Sequence, residues 1–101
     1  MQFSKLLMTW NIIRGQEQAY VAFHAKEFVP GLMAFGLHPV DSWFTMYGEG
    51  PQVIVGWVAE DAEVIKQALA SDGWATLRDK LEEHVTDFTS RIVPWESSFQ
   101  M

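Results

Sequence analysis

Val40-Asp41-Ser42-Trp43-Phe44-Thr45-Met46-Tyr47 and Gln52-Val53-Ile54-Val55-Gly56-Trp57-Val58-Ala59 are dense in β-branched and aromatic residues, with Gly48-Glu49-Gly50-Pro51 between them. Such runs suit strands, and the two glycines suit the positive φ of a tight loop, so this stretch reads as an antiparallel hairpin. Working outward, Lys5 to Ile13 is a third strand-like run, ended by Arg14-Gly15. From Gln16 to about Phe35 the period changes: residues spaced about 100° apart put Tyr20, Val21, Phe28, Leu32 and Phe35 in one arc, which predicts an amphipathic helix. Pro30 lacks a backbone donor, so a kink or restart is expected near Val29, and Gly36 ends the helix.

On the other side of the hairpin, Glu60-Asp61 opens a second helix with Val64, Ile65, Ala68 and Leu69 on one side. Ser71-Asp72-Gly73 interrupts it. A new turn capped by Ser71 or Asp72 carries Trp74, Leu77, Leu81 and Val85 on one stripe, and Asp87 to Val93 reads as a last strand ended by Pro94. The aromatic tail, Trp95 to Met101, is expected to pack on something.

The order is therefore βαββαβ. It predicts an α+β, ferredoxin-like domain over residues 1–101, a four-stranded antiparallel sheet with two helices on one face. The hairpin strands carry apolar residues on both faces: Ile54 and Val58 oppose Val53, Val55 and Trp57, and Trp43 and Tyr47 oppose Phe44 and Met46. Two helices cover one face only. Each large side chain left in water would forfeit roughly 1.5–3 kcal/mol, so the simplest cover is a second copy, giving a homodimer closed sheet on sheet.

Composition narrows the function classes. Apolar residues make up 49% of the 101 and aromatics 14%, with five Trp, which predicts a packed core. The apolar runs are far shorter than a membrane span, and the opening residues carry no secretory pattern, so a cytoplasmic protein without a membrane partner is expected. There is no Cys, hence no disulfide, thiolate nucleophile or cysteine zinc site. A formal charge of −6 repels a phosphate backbone, which argues against a nucleic-acid partner. No P-loop, Rossmann glycine pattern, HExxH or EF-hand loop occurs, so no metal and no cofactor is predicted.

The element order, the turn at Arg14-Gly15, Phe28-Val29-Pro30-Gly31-Leu32 with Gly36, and Ser71-Asp72-Gly73-Trp74 together resemble the dimeric α/β-barrel superfamily over nearly the whole chain. That group includes stress-responsive barrel proteins, antibiotic-biosynthesis monooxygenases and small cyclases. The resemblance implies a dimer of ferredoxin-like subunits with a small-molecule cavity between helices and sheet. Asn11, Trp74 and His84 also occur in the order used by haem-degrading members, but Trp74 follows the Ser71-Asp72 break where theirs precedes it, and Asn11 alternates away from the helix side.

The residues that could carry chemistry are polar groups inside apolar arcs. His24 projects between Tyr20 and Phe28, about 40° from each, and so points toward the sheet. His84 lies roughly 80° from the Trp74 stripe and could reach the same layer, whereas His38, before Pro39, reads as a surface residue. Thr9 and Asn11 alternate with Met8, Trp10 and Ile12, so they face the dimer side and are expected to pair across strands. The candidate site has His24, assisted by Tyr47 or His84, as the proton-handling group. Trp10, Phe23, Phe28 and Trp74 form its apolar walls. The function this predicts is binding of a small apolar organic molecule, with cofactor-independent monooxygenase or cyclase chemistry as its enzyme form. A non-catalytic binding or assembly-forming protein is the alternative.

Overall fold

A computed structural model describes residues 3–44 and 52–95. Its elements follow the expected order: β1 (Phe3–Ile12), α1 (Glu17–Phe23), a π-helical turn (His24–Phe28), α2 (Val29–Ala34), β2 (His38–Phe44), β3 (Val53–Ala59), α3 (Ala62–Leu69), α4 (Asp72–Leu81) and β4 (Val85–Trp95). The sheet runs β2-β3-β1-β4 with every neighbouring pair antiparallel. Tyr47, the Gly48–Pro51 loop, and Phe99 and Met101 of the tail lie outside the described residues.

Alternation along the strands sorts the core. Leu6, Met8 and Trp10 of β1 and Val53, Val55, Trp57 and Ala59 of β3 are buried under the helices, where they meet Phe28, Leu32, Ile65, Trp74 and Leu81. The smallest dimension of the chain is 19 Å, the thickness of one sheet and one helix layer, and among the described residues the helices all lie on one face of the sheet.

Local chemistry explains where the helices start and stop. Asp61 caps α3 by accepting from the Val64 N–H at 3.1 Å, and Ser71, of the two capping candidates, caps α4 by accepting from the Trp74 N–H at 3.2 Å. Gly36, at φ +92°, closes α2: its N–H donates to the Met33 carbonyl and the Leu37 N–H to the Leu32 carbonyl. Leu32 and Leu37, which flank that reversal, are fully buried.

Of the two prolines marked in the sequence, Pro30 acts as expected and Pro94 does not. The first helix widens into the π-helical turn, in which the Val29 N–H reaches the His24 carbonyl, five residues back, and restarts as α2 at Val29, the expected position. Pro30 cannot donate to Lys26, and the wider turn absorbs the defect before the proline instead of breaking the helix at it. Pro94 does not end β4, which continues to Trp95 with Ser4 opposite Pro94 and Phe3 opposite Trp95. β4 is an edge strand, where a missing donor need not interrupt the ladder.

The face away from the helices is mixed, so the two-faced apolar pattern read in the hairpin does not extend across β1 and β4. Leu7, Ile54 and Val58 are half-buried there, but Lys5, Thr9, Thr89 and Arg91 share the surface.

Candidate functional site

Trp10 enters the helix–sheet layer from the middle of β1 because even-numbered positions of that strand face the helices. Around it stand Tyr20 and His24 at centroid distances of 6.2 and 6.4 Å, Phe28 at 5.7 Å and edge-on, and Phe88 stacked at 6.0 Å. Phe28 extends the cluster to Trp57, Trp74 and Phe23. In an ideal α-helix, residues four apart drift by about 40° per step, so Tyr20, His24, Phe28 and Leu32 would wind off a shared face. The wider turn between His24 and Phe28 counters that drift, and Tyr20, Phe28 and Leu32 all remain buried.

The polar atoms of this layer are few and unevenly satisfied. The Trp10 indole N–H donates to the Tyr20 hydroxyl oxygen at 3.1 Å. Burial pushes the Tyr20 phenol above its ordinary pKa, and the bond from Trp10 opposes that rise. His24 is half-buried, its ring stacked on Phe28 at 5.6 Å and tilted against Tyr20 at 5.5 Å. Its Nε2 is buried and makes no hydrogen bond. Desolvation lowers the His24 pKa, so the ring is neutral at neutral pH. The Trp57 Nε1 is also buried without a partner, and that indole too lies against Phe28, at 6.1 Å.

Five of the sequence-predicted residues, Trp10, Phe23, His24, Phe28 and Trp74, therefore meet in one aromatic cluster. His84 stands at its edge: it touches Phe23 at 5.6 Å and its Nδ1 is 3.1 Å from the Gln16 side-chain oxygen, while the rings around His24 are Trp10, Tyr20 and Phe28. Outside these two residues, a surface groove of about 500 Å³ runs between α1 and α4 and is bordered by the Lys80–Glu27 ion pair at 2.9 Å. Tyr20, Trp57 and Phe88 belong to the cluster but were not singled out from the sequence. Their apolar positions were legible; their contacts join different elements and need the sheet order.

On the opposite face, Asn11 is occupied. Its amide donates to Asp87 at 3.0 Å and its carbonyl accepts from the Gln52 N–H at 2.9 Å, while Gln52 accepts from the Ile12 N–H at 2.7 Å. The Thr9 and Thr89 hydroxyls bond each other. Thr9 and Asn11 thus both pair across strands as expected. Among the described residues, no group of three or more His, Asp or Glu is placed to hold a metal ion, and no helix is long and apolar enough to cross a membrane.

No protein-family model matches the chain, and no curated protein matches it in sequence. Solved structures do match in shape. A NIPSNAP-like domain protein from Burkholderia xenovorans superposes with a TM-score of 0.69 at 15% identity, covering 99% of this chain and 89% of that one. A DABB family protein with a ferredoxin-like fold from Mesorhizobium loti gives 0.69 at 11% identity, covering 95% and 100%. The chain has the ferredoxin-like fold. A NIPSNAP family protein of unknown function from Agrobacterium tumefaciens gives 0.66 at 15% identity, covering 93% and 87%. At these identities the likeness is one of fold, so any role for this ferredoxin-like chain must be argued from its own side chains.

Proposed function

We propose that the chain binds a small, largely apolar organic molecule in the aromatic layer between helices and sheet, with His24 as its polar contact, in a homodimer closed through the open sheet faces. The observation that carries this reading is the His24 Nε2, buried among aromatic rings without a hydrogen-bond partner. Buried polar atoms are nearly always paired, and one left over at a π-helical turn marks a position kept for something other than packing. A neutral imidazole nitrogen accepts a hydrogen bond from a ligand hydroxyl or amine. In the enzyme form of the same reading it takes that proton outright, the opening step a cofactor-independent monooxygenase or cyclase would need. A purely assembly-forming protein would leave this nitrogen without a use.

Naphthol, an aromatic hydroxyl compound, tests the reading through quenching of the tryptophan fluorescence. His24→Phe keeps the aromatic volume and removes the acceptor. It should fold as the wild type does and bind naphthol about tenfold more weakly, the loss of one hydrogen bond. Equal affinity in the two proteins would overturn the reading.

A further inference from the structure

The open face of the sheet holds a concave site of about 460 Å³, within the range of roughly 300–1,000 Å³ typical of small-molecule sites. It is lined by Lys5, Leu7, Thr9, Ile54, Thr89 and Arg91. Strand pairing lays these out as a short grid. Arg91 stands opposite Leu7, Thr89 opposite Thr9, and Thr9 opposite Ile54 on its other side. The apolar floor of Leu7 and Ile54 therefore runs beside a polar row on β4, where Arg91 and Thr89 are about 7 Å apart along the strand.

The chemistry of that row is one-sided. The chain carries thirteen acidic residues against seven basic ones, yet no carboxylate lines the site among the described residues, and its polar row carries the Arg91 guanidinium. Arg91 is exposed and takes part in no hydrogen bond or ion pair among the described residues. The acid on its own strand, Asp87, accepts from Asn11 and Thr86. The Thr9–Thr89 pair uses one hydroxyl proton internally and leaves the other to donate. Covering this face with a second sheet would bury Arg91 without a counter-charge, which is unfavourable unless an anion accompanies it.

We infer that the open sheet face is a second binding site, for a small organic anion with an apolar tail. The carboxylate pairs with the Arg91 guanidinium, whose planar fork matches it, with Thr89 alongside, and the tail lies over Leu7 and Ile54. This site stands independently of the His24 reading.

Octanoate serves as the probe, titrated calorimetrically into the whole protein, with octanol supplying the tail without the charge and acetate the charge without the tail. Octanoate should bind saturably, at least tenfold more tightly than either, and Arg91→Gln should weaken it at least tenfold. Arg91 is exposed, so that substitution leaves the fold intact, which circular dichroism checks. His24→Phe should leave octanoate affinity unchanged, and Arg91→Gln should leave naphthol affinity unchanged, so that failure of one site is distinguishable from failure of the other. No saturable octanoate binding, or binding insensitive to Arg91→Gln, would overturn the inference.

Discussion

His24 shows how burial turns a common residue into a sensitive one. Its neighbours offer it rings and no counter-charge; Tyr20, the titratable group beside it, is a neutral phenol whose hydroxyl oxygen accepts the Trp10 N–H. Charging the imidazole in the folded chain therefore costs solvation that nothing repays, and its pKa drops below the ordinary 6.5. Between the lowered folded value and the ordinary one, the unfolded chain binds more protons than the folded chain. The stability from this group is then complete above the ordinary value and is lost as pH falls through it toward the folded value. The melting temperature should fall more steeply from about pH 7.5 to about pH 5 in the wild type than in His24→Phe, which keeps His38 and His84 and so isolates the one group. Parallel profiles would mean that His24 is protonated as readily folded as unfolded. The sequence placed His24 between Tyr20 and Phe28 because both lie four residues away on one helix. It could not show that Phe88 stacks on Trp10, since nothing in either segment alone sets a contact between β1 and β4.

At the scale of elements, the two halves of the helical layer meet at Gly31. A Cβ built there would come within 2.5 Å of the Leu77 Cδ1, so α2 approaches α4 over a missing side chain. Ala is the better helix former, but here its methyl must displace the end of Leu77. Leu77→Ala removes the obstacle. Gly31→Ala should therefore be less favourable in the wild type than in a Leu77→Ala background, by about 1 kcal/mol in a double-mutant cycle read from denaturant midpoints. Additive effects would show that Leu77 rotates aside freely. Element order, caps and the Gly36 stop were legible because each depends on a few adjacent residues. The restart near Val29 that Pro30 imposes was legible for the same reason, but the consequence of Pro94 was not: a missing donor is visible in the sequence, whereas an edge position that makes it harmless depends on the sheet order.

At the scale of the molecule, the sheet has one face under helices and one that no described element covers. Leu7, Ile54 and Val58 lie on the open side with only partial shielding from their neighbours. Fully burying an aliphatic side chain stabilises by roughly 1.5–3 kcal/mol, so a two-fold partner laying its own sheet on this face would gain from each of them twice. Arg91 works against that contact unless an anion is present, which would couple the proposed assembly to the proposed anion site. Ile54 is the most informative position. It sits on β3, an inner strand, its side chain turned away from the helices, so a charge there disturbs the open face while the core beneath stays packed. Wild-type protein at micromolar concentration should sediment as two subunits, with octanoate shifting the equilibrium further toward the dimer. Ile54→Lys should sediment as one subunit with an unchanged far-ultraviolet circular dichroism spectrum. A wild type that stays monomeric with and without octanoate would refute the sheet-on-sheet dimer. A mutant that loses its secondary structure would show instead that Ile54 supports the sheet itself, in which case Val58→Lys, on the same face of the same strand, repeats the test nearer the strand end.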